Sequence, residues 1–225
     1  MIAIVNESGD VEAGRLERVR RVLQEQVDRD FFPLWGWRAK LVVASRKPPR
    51  GAMQIWLKGK PDPDDEGAFG YHFIDGHPIT YVFTRDEKDQ RVDDYATTLS
   101  HEVLEMIADP GVNLYADGYY ISKSKRHYRA WVPYEVCDPV EETLYEIRGV
   151  KVSDFVVPEW FEPEREPGSM DFSFRGAVTE PFELAPGGYM EAVLTNTVRT
   201  IWGEMANRRR RRHRCKARVK ASRRA

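Results

Sequence analysis

Short apolar blocks separated by polar breaks organise the first half of the chain. Residues 2–6 form an apolar run closed by the polar stretch 7–10, the pattern of a strand. Leu16, Val19, Val22, Leu23 and Val27 then recur at three- and four-residue spacing. They predict an amphipathic helix over 11–32, broken by Pro33 and the aromatic pair Trp35 and Trp37. Strands are expected at 40–44 and 53–57, on either side of the Pro48-Pro49 turn. After the acidic loop 61–66, two more are expected at 68–74 and 79–84, around the turn Asp75-Gly76-His77-Pro78. A second helix follows, with Val92, Tyr95, Ala96, Leu99, Val103, Met106 and Ile107 as its apolar stripe. Asp93 and Asp94 complement the dipole of its first turn, and Pro110 stops it.

Beyond residue 110 the pattern becomes aromatic and irregular. Strands are expected at 119–122 and 128–136, and a hairpin at 145–153 about Gly149. Residues 157–186, rich in proline and aromatics, read as an ordered loop wrapped around the core. No internal repeat appears and no linker divides residues 1–206, so one domain of α+β type is expected.

The second helix carries the candidate chemistry. At about 100° per residue, His101 and Glu105 lie roughly 40° apart, with Glu102 and Asp109 on the same flank, away from the apolar stripe. An imidazole and a carboxylate one turn apart can grip a cation, and the neighbouring Glu102 can take the proton of a bound water. The competing reading is a solvated acidic face. A third ligand must come from elsewhere, and Glu135 or Asp138, in Tyr134-Glu135-Val136-Cys137-Asp138, is the expected source. Asp109 is a further candidate ligand, or a group that orients His101. Cys137 shares a face with Glu135 in an extended segment, as a ligand or as a buried thiol. His72, in Gly70-Tyr71-His72-Phe73, can point into the same cleft or serve as a satisfied strand histidine. One imidazole with several carboxylates is a harder donor set than the two imidazoles of His-Glu-x-x-His. Zinc is the first expectation, and manganese, iron or calcium also suit it.

Charge divides the chain. The formal net charge of -1 combines a tail over 207–225 with eleven Arg or Lys and no acid, and a body over 1–206 of about -12. The run Arg208, Arg209, Arg210, Arg211, Arg212 and Arg214 has no apolar content to bury and no interleaved aromatic. It predicts a disordered tail able to bind nucleic acid non-specifically, or an acidic protein surface. The N-terminus lacks the basic start and long apolar run of a secretory signal, no stretch approaches a membrane span, and two cysteines make no disulfide framework. The expectation is a cytoplasmic or phage- or particle-associated protein without a membrane partner.

Four segments carry a resemblance: Ser-His-Glu-Val-Leu-Glu-Met-Ile-Ala-Asp-Pro (100–110), Tyr-Glu-Val-Cys-Asp-Pro-Val-Glu (134–141), Val-Ser-Asp-Phe-Val-Val-Pro-Glu-Trp-Phe-Glu-Pro (152–163) and Ala-Pro-Gly-Gly-Tyr (185–189). Together they resemble a family of bacterial and phage proteins with a His-Glu-x-x-Glu-x-x-x-Asp-Pro helix followed by a Glu-x-Cys-Asp segment. The order of elements ahead of that helix is similar to zincin-like metallopeptidases. The likeness covers about residues 1–195 and leaves out the tail. It implies a zincin-like α+β fold, with a small mixed sheet packed on an N-terminal helix and an active-site helix and an irregular, β-rich C-terminal half. The activity expected is metal-dependent, peptidase-like hydrolysis with Glu102 as general base, on a peptide or protein substrate laid beside the 79–84 strand. The alternative expectation is a catalytically inactive zincin-like structural or assembly protein whose basic tail binds polyanions.

Overall fold

The structure is a computed structural model that describes residues 1–44, 46–63, 67–92, 95–122 and 124–204. Strand β1 (Ile2–Asn6) is buried through Val5 and pairs in parallel with β2 (Leu41–Ala44) and β3 (Met53–Lys58). A parallel pair needs a crossover, and α1 (Ala13–Glu25) supplies it between β1 and β2, burying the predicted stripe Leu16, Val19, Val22 and Leu23. The helix does not break at Pro33. It widens into a π-helical turn, Gln26–Phe31, and resumes as α2 (Phe32–Trp35). Pro33 lies directly after the π-helical turn, where the hydrogen-bond ladder is already out of α register.

Strands β4 (Gly70–Ile74) and β5 (Pro78–Phe83) form the expected hairpin, and β5 adds in parallel to β3. The sheet order is β2-β1-β3-β5-β4, with β4 antiparallel at the edge. This corrects the expected position of a substrate strand: β5 is hydrogen-bonded on both sides, and the open edge there belongs to β4. Helix α3 (Tyr95–Ala108) packs between this sheet and the hairpin of β8 (Leu144–Ile147) and β9 (Val150–Ser153).

The second half is more regular than its pattern indicates. Strands β6 (Tyr115–Ile121), β7 (His127–Pro133), β10 (Tyr189–Leu194) and β11 (Thr197–Trp202) form an antiparallel sheet in the order β11-β10-β7-β6. Strand β7 stops at Pro133 rather than 136, because the Glu135 N–H turns back onto the Pro133 carbonyl at 2.9 Å. Residues 157–186 wrap the core as expected, burying Trp160, Phe172 and Phe182 completely. One apolar cluster runs from Ile2 to Ala192 and joins the layers of an α+β architecture. Among the described residues no helix is long and apolar enough to cross a membrane. Asp93 and Asp94, and the basic tail with Arg208, Arg209, Arg210, Arg211, Arg212 and Arg214, lie outside the described residues.

Candidate metal centre

Helix α3 is buried except along the cleft, where Thr97, Thr98 and His101 are half-buried, so its polar arc is not a solvated face. Glu102 and Glu105 are 4% and 3% exposed, against 0% for Leu99 and Val103 on the apolar stripe. His101 and Glu105 stand one turn apart, with His101 Nε2 3.2 Å from Glu105 Oε2. Asp138 Oδ1 approaches the same nitrogen at 3.2 Å. At the opposite ring nitrogen, Nδ1, Glu141 Oε2 stands at 3.0 Å. Asp138 and Glu141 come from a single 3-10 turn, Asp138–Val140, and the residue that caps it. The Cys137 N–H ties that turn to the helix by donating to Glu105 Oε1 at 3.2 Å.

Strand β4 brings in a second imidazole. His72 Nδ1 hydrogen-bonds Glu102 Oε2 at 3.3 Å and lies 3.8 Å from Glu105 Oε2, while Nε2 lies 3.5 Å from Glu135 Oε2. Gly70, two residues earlier on the same face, leaves the space that Glu102 occupies. A Cβ at position 70 would stand 2.8 Å from Glu102 Oε1 and 2.9 Å from Thr98 Cγ2. A buried polar tie sets the helix itself: Ser100 Oγ donates to Gln26 Oε1 at 2.8 Å and accepts the Ser153 N–H at 3.0 Å. Gln26 Nε2 donates to the Ser153 carbonyl at 2.9 Å. The π-helical turn, α3 and β9 are thus fastened together one residue before His101.

Five buried or half-buried carboxylates (Glu102, Glu105, Glu135, Asp138 and Glu141) therefore surround two imidazoles. Burial raises the Glu105 carboxyl to about 7 despite the opposing pull of His101. Burial, reinforced by the charge of Glu105, also pushes Asp138 well above the usual carboxylate range. Burial works against charge on the imidazoles, but the acids overcome it. Glu105 and Glu141 hold His101 well above its ordinary value, and Glu135 and Glu102 hold His72 at about 10. The shifts of Glu105, Asp138, His72 and His101 all favour the protonated form when no cation is bound. Burial likewise keeps Cys137 a neutral, free thiol, with Sγ 3.8 Å from the His101 carbonyl.

The donors fit a small divalent cation. Ligand atoms about 2.1 Å from a tetrahedral ion lie about 3.4 Å apart, and the two 3.2 Å separations around His101 Nε2 match that spacing. Asp138 Oδ2 is buried without a hydrogen bond, an acceptor that a cation or a proton must satisfy. A cleft of about 490 Å³ opens onto the group, lined by His72, His101, Glu102, Glu105, Asp138 and Glu141.

The structure brings His101, Glu102, Glu105, Glu135 and Asp138 together, with Cys137 beside them and His72 among them rather than behind them. Asp109 faces elsewhere: its carboxylate accepts the Asn113 and Leu114 N–H groups at 3.1 and 2.9 Å and shapes the turn after α3. Glu141 is absent from the sequence-level candidates, although its three-residue spacing from Asp138 across an Asp-Pro turn is a usable signal. Gln26 and Ser100 carry no such signal, because their partners are distant in the chain. Tyr119, a conceivable phenolic donor, instead stacks on His127 at 4.3 Å. In comparisons with known proteins the chain matches no family model, no curated protein and no solved structure.

Proposed function

We propose that this protein is a metal-dependent hydrolase of peptidase type on a zincin-like fold, with a divalent cation held by His101, Glu105 and Asp138. The observation that carries the reading is the convergence of Glu105 Oε2 and Asp138 Oδ1 on His101 Nε2, each at 3.2 Å, on the floor of an open cleft. A divalent ion, zinc first for this nitrogen and oxygen donor set, supplies Lewis acidity toward water and toward a substrate carbonyl. Glu102 lines the same cleft and acts as general base, taking the proton of the attacking water and passing it to the leaving amine. His72 steadies Glu102 through its Nδ1. Glu141 orients the His101 ring from the side away from the ligands. The substrate is an extended peptide lying along β4, the sheet edge that borders the cleft through Gly70, Tyr71 and His72.

The test is Glu102→Gln in the zinc-loaded full chain, assayed on a peptide library. Hydrolysis falls by about 10²–10⁴-fold while zinc content stays at the parent level. Undiminished hydrolysis in the variant refutes the reading.

A second reading rests on the donor set. Two carboxylates place more negative charge on the ion than two imidazoles do, which weakens its acidifying effect on water. In that reading the ion pins the 135–141 turn to α3 in a catalytically inactive assembly protein. A zinc-loaded parent with no turnover, whose melting temperature drops on chelation, favours it. Under either reading the eleven basic residues of 207–225 suit non-specific binding of nucleic acid or an acidic protein surface.

A further inference from the structure

We propose that the centre takes a second divalent cation on its β4 side, held by His72 and Glu135 and sharing Glu105 with the first. The proposal rests on the reading of the first site given above. Its independent observation is His72 itself. The side chain is 3% exposed, and its Nε2 makes no hydrogen bond. That nitrogen lies 3.5 Å from Glu135 Oε2, close to the roughly 3.4 Å that separates two ligands of one tetrahedral ion.

Three features complete the site. As at His101, a glutamate stands at Nδ1, Glu102 at 3.3 Å for His72 and Glu141 at 3.0 Å for His101; Glu105 also lies on the Nδ1 side of His72, at 3.8 Å, and the His72 Nε2 faces Glu135. Donor atoms of His72, Glu105 and Glu135 all lie within 4.8 Å of one another. Thr80, directly across the hairpin from His72 and therefore on the same face of the sheet, keeps a fully buried hydroxyl without a hydrogen bond. It offers a further oxygen beside the imidazole.

The competing account makes His72 an imidazolium counter-ion with no metal of its own, and the two differ in stoichiometry. Full-length protein is stripped with chelator, dialysed against zinc or manganese, and its metal content measured per chain. The expected result is two ions in the parent and one in His72→Asn and in Glu135→Gln, with unchanged far-UV circular dichroism. Manganese-loaded parent should also show an exchange-coupled electron paramagnetic resonance spectrum, a readout that needs no variant. One ion in the parent, retained in His72→Asn, overturns the second site and leaves the first standing. No ion in the parent overturns both.

Discussion

Replacing Glu105 with Gln should stabilise the metal-free protein while abolishing its ion binding. The carboxyl is 3% exposed, and burial lifts it to about 7 from an ordinary 4.5. Between those values the native state holds a proton that the unfolded chain has released, so stability falls as pH rises through the window. Above pH 7 the accumulated penalty is roughly 3 kcal/mol. Gln is nearly isosteric, keeps an oxygen for the Cys137 N–H and does not titrate, so it escapes that penalty. The assay is urea unfolding in EDTA. At pH 4.5 parent and variant should unfold at similar urea concentrations. At pH 8 the variant's midpoint should lie higher by about 1 M, with an unchanged slope. Zinc at about a thousand times its Kd should reverse the order by adding roughly 4 kcal/mol to the parent alone. A variant less stable than the parent at pH 8 in EDTA, or equally favoured at both pH values, refutes the reasoning.

Glu141→Gln should lower the affinity for the first ion by about 10–100-fold by removing the carboxylate behind His101; chelator competition measures it, and an unchanged affinity assigns Glu141 to the surface. Gly118→Ala should destabilise the fold by about 1–3 kcal/mol, because a Cβ there overlaps the ring of fully buried Phe182. Thermal unfolding without loss would mean that β6 and the 157–186 segment yield there easily. Truncation after residue 206 should remove salt-sensitive DNA or heparin binding and leave the metal content intact; loss of metal would tie the tail to the site.

Where burial is one-sided, the fold was legible in the sequence. Leu16, Val19, Val22 and Leu23 mark α1 because its other face meets water; β1, buried on both faces, and the β4–β5 hairpin stand out instead as apolar runs between polar breaks. The reading of α3 left a solvated face open because a period cannot report burial all round: Leu104 falls outside the predicted stripe yet is 0% exposed. Strand β11 is illegible for the opposite reason. Residues Thr197–Thr200 are exposed on both faces, so no inside–outside alternation survives in β11.

The site divides along the same line. Spacing within one helix puts His101, Glu102, Glu105 and Asp109 on one flank, but tertiary structure sends them to three destinations. His101 and Glu105 meet the 138–141 turn, Glu102 and Glu105 meet His72 on β4, and Asp109 caps the 113–114 backbone. Helical arithmetic locates such a cluster without resolving it, since which acid meets which imidazole depends on elements about thirty residues away on either side. Energetics then argue for a ligand. Acids gathered in a protein interior are costly to fold around, and an apolar set of similar volume is often the more stable choice. Five of them, drawn from α3 and the 135–141 turn and aimed at imidazoles from two elements, serve no packing need of the core, and cations are what would offset their burial.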